Sequence, residues 1–327
     1  MSMRRVSLLA TGGTISTNAA PQGAMPTLGA EQLAEAISLY NRGDLELRSR
    51  DVAKISGRDI TLRDMWNLAE VVADEVADGA DGVVITHGTD TLEETAYALA
   101  LLLDRRVPVV VTGSMRVPDS PGADGAANLS AAVAVAADPG FARFGPVVAF
   151  HDEIHLARWA TKTHSAKVAA FTSPTAGPIG HVAEGKAIVV LGPPDDDDRL
   201  SRTAPPGTRV EMLWAYADSD GMIVDAIADR VDGLVVAGTG VGHVAGPLAE
   251  AMMRMVASGK PVVLTSRCAD GQVLEHTYGG LGSETQLLSE GVYSGGNLSA
   301  VKARLRLAFG LSAGIPPQEL FPPRGTR

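Results

Sequence analysis

Short runs rich in β-branched residues recur along the chain: VSLLAT, DGVVITHG, VPVVVTGS, PVVAF, AIVVLG, DGLVVAGTG and KPVVLTSR. The segments GAEQLAEAISLYN, LRDMWNLAEVVADEVAD, LEETAYALALLLD, GPLAEAMMRMVASG and LSAVKARLRLAFGL, which lie between or after them, place apolar residues at three-to-four spacing. Parallel neighbours in a sheet need a crossover of a dozen or more residues, usually a helix, so this alternation predicts βαβ units around parallel sheets.

At 327 residues the chain fits two domains better than one core. Between 192 and 209 the stretch GPPDDDDRLSRTAPPGTR combines prolines, four consecutive Asp and no apolar periodicity, which reads as a solvated linker. We therefore expect a larger N-terminal parallel-sheet α/β domain over 1–191, that linker, and a smaller C-terminal α/β domain over 210–327. An aromatic share of 4% with many Ala, Gly and Val suits tightly packed α/β layers.

A formal charge of −10 and no basic cluster longer than a pair argue against a nucleic-acid partner and favour a small solute. The single cysteine, Cys268, cannot form an intrachain disulfide, and the N-terminus lacks the pattern of an export leader, so a cytoplasmic location is expected. The longest apolar stretch, AYALALLL at 96–103, is far shorter than a membrane span, and no membrane partner is expected.

Several strands end in small polar residues: ATGGT, THGTDT, TGSMR, AGTGVGH and TSR. In open parallel sheets the carboxyl ends of strands form the ligand crevice, so these tails should converge into a hydroxyl-rich site. In SLLATGGTIS (7–16), Gly12 and Gly13 tolerate positive φ and hold Thr11 and Thr14 on a tight turn. Thr91, followed three residues later by Glu94, has the spacing of a reciprocal helix cap, which leaves Thr89 and Asp90 to face the crevice. Lys162, between threonines in WATKTHS, could act as a base if desolvated.

These residues reach a known family. ATGGTI (10–15), THGTDT (86–91), TGSMR (112–116), DGAANL (124–129), ATKT (160–163) and SGGNLSAVKARLRLAFGL near the C-terminus resemble the bacterial-type L-asparaginases over nearly the whole chain. The resemblance implies hydrolysis of a side-chain amide through a threonine nucleophile and an acyl-enzyme ester, without a cofactor or metal, in a site completed across a dimer interface. Thr14 matches the nucleophile. Thr89 and Lys162 match the hydroxyl and amine of a second polar triad, and Asp90 matches its carboxylate and the partner of the substrate α-ammonium. Glu284, in GLGSETQLLSEG, matches by rough spacing an acid lent by the neighbouring subunit, so a homo-oligomer is expected, a dimer or a tetramer of two dimers.

The chain departs from the family pattern in three places. The loop STNAAPQGAMPTLG after the first motif carries no tyrosine, and neither Tyr278 nor Tyr293 can be placed as its substitute from sequence. The pair that holds the substrate α-carboxylate aligns with Gly57 and Arg58, whose guanidinium could bind a carboxylate bidentately or point to solvent. Val241 and His243 stand where asparagines are usual, within reach of the substrate or its acid partner. These departures leave open a glutaminase or other side-chain amidase, and a catalytically weakened relative that binds an amino acid.

Two other classes fit less well. The glycines Gly238, Gly240 and Gly242 do not have dinucleotide-fingerprint spacing. The histidines of HDEIH, His151 and His155, follow a strand and lack the adjacent Glu of zinc-protease helices, so they read as structural.

Overall fold

The computed structural model describes residues 3–18, 25–26, 29–38, 45–193 and 198–323. Contacts divide the chain into two compact units, Met1–Arg199 and Leu200–Arg327.

In the first unit β1 (Arg4–Ala10) leads to a short antiparallel pair, β2 (Thr17–Asn18) and β3 (Met25–Pro26), then to α1 (Ala30–Ser38) and β4 (Leu45–Asp51). Strict alternation follows with α2 (Leu62–Ala77), β5 (Gly82–Thr86), α3 (Leu92–Leu102), β6 (Val109–Thr112), α4 (Gly125–Ala136) and β7 (Val147–Phe150). The unit ends with β8 (Glu153–Leu156), β9 (Thr161–Lys162), β10 (Phe171–Thr172), β11 (Gly180–Ala183) and β12 (Lys186–Val189). The main sheet has the order β12-β11-β8-β7-β6-β5-β1-β4.

The expected parallel sheet is realised from β4 through β7, whereas β8, β11 and β12 add antiparallel strands. The reason is local. His151 and Asp152 both take positive φ, 50° and 63°, which suits the tight hairpin joining β7 to β8 and reverses the chain. The run AIVVLG thus supplies an antiparallel edge strand, with Ile188, Val189, Val190 and Leu191 exposed.

Alternate residues of the central strands feed two cores. Val84 and Val110 join Leu8 and Leu129 on one face, while Val83, Ile85 and Val111 join Leu9, Leu68 and Leu99 on the other. Burial on both faces explains why β5 reads as an unbroken apolar run, since each fully buried Val or Ile contributes about 1.5–3 kcal/mol.

The second unit comprises β13 (Val210–Trp214), α5 (Met222–Ile227), β14 (Gly233–Gly238), α6 (Gly246–Ala257), β15 (Val262–Ser266), α7 (Glu284–Ser289), β16 (Tyr293–Ser294), α8 (Ala300–Ser312) and α9 (Pro317–Leu320). Its strands pair in parallel in the order β13-β14-β15-β16. Leu234, Val236, Val262 and Leu264 pack with Leu248, Met252 and Met255 of α6 to form its core.

The Asp-rich stretch is anchored where it is described. Asp198 accepts hydrogen bonds from Arg158 and from the Tyr97 hydroxyl at 3.3 Å, and Leu200 is buried. Residues 194–197, with three of the four Asp, lie outside the described residues. Among the described residues no helix is long and apolar enough to cross a membrane.

The reciprocal cap expected at Thr91 and Glu94 is absent, because the Thr91 hydroxyl donates to the Gly57 carbonyl at 2.5 Å instead. That motif forms one helix earlier. Thr61 caps α2 by accepting from the Asp64 amide, and the Asp64 carboxylate accepts from the Thr61 amide at 2.9 Å.

Candidate active site

β1 lies between β4 and β5, so the chain leaves it towards one side of the sheet and returns on the other. A crevice opens at such a switch point, beyond the carboxyl ends of the strands. The first two polar tails border it. Thr11 donates both its amide and its hydroxyl to the Thr86 carbonyl, at 3.1 and 2.8 Å, which ties the end of β1 to the end of β5. Thr11 is therefore a structural threonine, as its strand-end position allows.

Beyond that tie three glycines stack backbone on backbone. A Cβ on Gly13 would lie 2.5 Å from the Gly88 amide nitrogen, and one on Gly88 would lie 2.8 Å from the Gly57 amide nitrogen. Only residues without side chains fit there. Gly13 also has φ 85°, and the next residue, Thr14, begins a short 3₁₀ turn (Thr14–Ser16) held by the Ser16 amide and the Thr17 hydroxyl, both donating to the Gly13 carbonyl. Thr14 is half-buried, directly after the glycine that packs on the 87–88 backbone, and among the described residues its hydroxyl makes no hydrogen bond.

Thr89, Asp90 and Lys162 come together from sequence positions more than 70 residues apart. Lys162 Nζ donates to Thr89 Oγ1 at 2.9 Å and to Asp90 Oδ1 at 2.7 Å. The Lys162 side chain is 15% exposed and that of Asp90 67%, so most of the lysine is covered while its carboxylate partner faces outward. Pairing of β9 with β10, Phe171 opposite Lys162, sets the backbone from which this side chain reaches.

Two further contacts hold the second motif. His87 is fully buried: its Nδ1 bonds to the Gly88 carbonyl at 2.8 Å and its Nε2 to Thr95 Oγ1 at 2.9 Å. Burial disfavours the imidazolium and pulls its pKa down to about 4, partly countered by the Gly88 carbonyl. A neutral ring donating through Nδ1 and accepting through Nε2 satisfies both partners. Sequence reasoning passed over His87 because its neighbours in THGTDT carried the chemistry.

The motifs TGSMR and DGAANL explain each other. The Asp124 carboxylate accepts the amides of Met115 and Arg116, each at 2.9 Å, while the Asn128 side-chain amide donates to the Gly113 carbonyl and to Asp124, each at 3.0 Å. Asn128 Oδ1 in turn accepts the His151 amide at 2.9 Å. The pair fixes the loop after β6, and Ile15 and Ser114 both lie against Gly125 at the start of α4.

Gly57 is buried against Gly88, whereas the Arg58 side chain is 78% exposed and lies 3.6 Å from Asp59. Much of the loop after the first motif, residues 19–24 and 27–28, lies outside the described residues. Of the histidines considered for a metal, His151 is an exposed turn residue, while His155 is buried with Nδ1 on Ser173 Oγ at 3.0 Å. Among the described residues no group of three His, Cys, Asp or Glu could hold a metal ion.

In the second unit His243 and Glu284 are paired. His243 Nε2 lies 3.0 Å from Glu284 Oε2, and Glu284 Oε1 accepts the amides of Thr277 and Tyr278 at 3.0 and 2.8 Å. The Glu284 carboxylate is wholly buried; burial raises its pKa, but these hydrogen bonds outweigh burial and hold it below the usual carboxylate range. The Tyr278 ring meets the His243 ring edge-on, with centroids 4.8 Å apart.

Comparison with known proteins agrees with this layout. The family model for the N-terminal domain of asparaginase matches residues 5–194, and that for the glutaminase/asparaginase C-terminal domain matches residues 209–320. The chain is 35% identical to a probable L-asparaginase of Deinococcus radiodurans over 98% of this chain and 96% of that one. It is 33% identical to an L-asparaginase of Bacillus licheniformis, covering 95% and 96% of the two chains. The crystal structure of a probable cytoplasmic L-asparaginase from Campylobacter jejuni superposes with a TM-score of 0.83 at 31% identity, covering 97% of this chain and 98% of that one.

Proposed function

The chain belongs to the asparaginase family, and from that premise we propose that it is an amidohydrolase converting L-asparagine to L-aspartate and ammonia. The observation that carries the reading is the Lys162 amine held 2.9 Å from the Thr89 hydroxyl, with Asp90 2.7 Å away on its other side.

An alcohol is a weak nucleophile at neutral pH and needs a base within hydrogen-bond reach. In its neutral form the Lys162 amine can accept a hydroxyl proton from Thr89, and Asp90 stabilises the ammonium that results. Thr14, next to the glycine stack and with no hydrogen bond to its hydroxyl among the described residues, adds to the side-chain amide carbon. The proton it loses ends on the leaving nitrogen, so that ammonia departs and a threonine ester remains. Thr89 and Lys162 then take a proton from the water that opens the ester, releasing aspartate. Backbone N–H groups of the 13–14 and 88–89 turns are the candidate oxyanion donors, each worth about a hundredfold or more in rate.

Asp90, exposed at the rim, also serves the substrate α-ammonium; Glu284, the acid matched to the one lent by a neighbouring protomer, is wholly buried against His243 in its own chain, so lending it requires that pair to open. We assign the α-carboxylate to Arg58. Its present pairing with Asp59 is a surface ion pair of the kind worth about 0–1 kcal/mol, so releasing it for a ligand costs little. Because Glu284 is to be lent between chains, the active form is at least a dimer and, by the usual closed symmetry, a tetramer of two dimers. The name of the Campylobacter relative supports a cytoplasmic location. The family model's own description includes glutaminases, which keeps L-glutamine as a second substrate.

Ammonia release from L-asparagine, D-asparagine and L-glutamine, by wild type and by Thr14→Ala and Thr89→Val, tests the reading. We expect L-asparagine to be the best substrate and both variants to lose at least about a hundredfold in kcat. Wild-type protein that releases no ammonia from any of the three would refute it.

A further inference from the structure

The second histidine of HDEIH makes a contact that bears on Lys162. His155 lies on β8, opposite Val148 of β7, and its side chain is wholly buried. Its Nδ1 meets Ser173 Oγ at 3.0 Å, and Ser173 is itself buried. Its Nε2 sits 3.3 Å from the Glu153 carboxylate without the alignment of a hydrogen bond. Burial pulls the imidazole pKa down to about 4, so the ring is neutral near pH 7. A carboxylate beside Nε2 favours the ring proton there, which leaves Nδ1 to accept from the Ser173 hydroxyl.

Ser173 directly follows β10, and β10 is one half of the hairpin that carries Lys162. That hairpin is slight. Phe171 pairs with Lys162 and Thr172 with Thr161, and just beyond them the Thr163 amide donates to the Ala170 carbonyl at 2.8 Å. A two-stranded ladder is marginal by itself, so this one takes its position from what holds it. At its start the chain leaves β8 through a turn in which the Trp159 and Ala160 amides donate to the Leu156 carbonyl, at 2.9 and 2.8 Å. Along it the Phe171 ring packs on Phe150 of β7, with centroids 4.7 Å apart. At its end Ser173 returns to β8 at His155, and the Ile179 amide then reaches the Ile154 carbonyl at 2.8 Å. Apolar packing sets depth but lets neighbours slide, whereas breaking a buried hydrogen bond strands two polar groups.

We propose that His155 and Ser173 are positioning residues: by pinning the end of the β9–β10 hairpin to β8, they hold the Lys162 amine 2.9 Å from the Thr89 hydroxyl and 2.7 Å from Asp90. The inference rests on the amidohydrolase reading and on Lys162 as its base. Both residues are buried and act through the hairpin. Loss of their hydrogen bond lets the amine drift from the hydroxyl it deprotonates, which slows the chemical step and leaves substrate binding in place.

The test compares wild type with Ser173→Ala, with His155→Leu, and with His155→Asn, whose amide can still meet the Ser173 hydroxyl. We expect Ser173→Ala and His155→Leu each to lower kcat at least about tenfold, with KM for L-asparagine changed less than about twofold. His155→Asn should return kcat to within about threefold of wild type. In a Lys162→Met background Ser173→Ala should cost less than about a further twofold, an outcome that a general loss of folding would not give. A wild-type kcat in Ser173→Ala, a His155→Asn as impaired as His155→Leu, or an undiminished second loss in Lys162→Met overturns the proposal. Independently of turnover, amide hydrogen exchange by NMR should quicken at least about tenfold at Thr163 in Ser173→Ala. It should stay as in wild type at Val83 of β5, whose amide donates to the Pro108 carbonyl at 2.9 Å. Unchanged exchange at Thr163 overturns the proposal too. If wild type hydrolyses nothing, the amidohydrolase reading fails, and the Thr163 exchange still decides whether this pair holds the hairpin.

Discussion

Gly13 and Gly88 meet backbone to backbone, so closely that a Cβ on Gly13 would fall 2.5 Å from the amide nitrogen of Gly88. This contact brings the first threonine motif against the second. Gly13→Ala must both strain a residue at φ 85° and push the two turns apart. We expect it to cost about 2–4 kcal/mol of stability, read by urea unfolding, and to lower kcat/KM at least about a hundredfold. Wild-type kcat/KM in this variant would mean the spacing of the two turns is not critical.

Lys162 and Thr89 should behave as one unit. Lys162→Met keeps the length of the side chain and removes the amine, and is expected to lower kcat by about 10²–10⁴. Adding Thr89→Val to it should cost little more, because residues that act together are not additive. Steady-state rates for the two single variants and the double variant settle this; a double variant whose loss is the product of the single losses would count against a shared proton path.

Acid stability follows from His87. The ordinary imidazole value is near 6.5 and burial holds His87 near 4 in the folded chain. Between those values the unfolded chain binds a proton that the folded chain does not, so stability falls as pH drops from about 6.5 towards 4, by up to ~3 kcal/mol from this group. Urea titrations at pH 7 and pH 5 should show the fall in wild type and a shallower one in His87→Gln.

Arg58 offers a cleaner separation of binding from folding. Among the described residues the ion pair of its exposed side chain is with a surface carboxylate, so Arg58→Ala should leave the melting temperature within about 2 °C of wild type. If the guanidinium binds the substrate α-carboxylate, the same variant raises KM for L-asparagine about tenfold or more. An unchanged KM would remove Arg58 from the site.

The cap of α2 gives a prediction about the scaffold alone. Thr61→Ala removes a side chain that satisfies the Asp64 amide and should destabilise the protein by about 1 kcal/mol, with kcat and KM unchanged. Thermal unfolding together with a standard assay checks both halves.

Much of the architecture was readable because burial writes itself into sequence. β5 and β6 lie in the sheet interior and are apolar throughout, and their polar tails mark where the crevice opens. β4 escaped notice because it is an edge strand whose residues LELRSRD are charged and partly exposed. Thr89, Asp90 and Lys162 were legible from residue type and motif, and the structure brings them to hydrogen-bonding distance. The competition for the Thr91 hydroxyl was not legible, since the Gly57 carbonyl that takes it comes from a part of the chain 34 residues away. Nor could a run of aspartates reveal that its last member is held by Arg158 and Tyr97. Sequence patterns report neighbours along the chain, and these partners are neighbours only in space.

The glycine stack also limits where new specificity can come from. With Gly13, Gly57 and Gly88 barred from bearing side chains, the floor of the crevice cannot be reshaped residue by residue. Enlarging or shrinking the space for a different amide must instead begin at rim positions such as Arg58, where a library of substitutions meets solvent and not a wall of main chain.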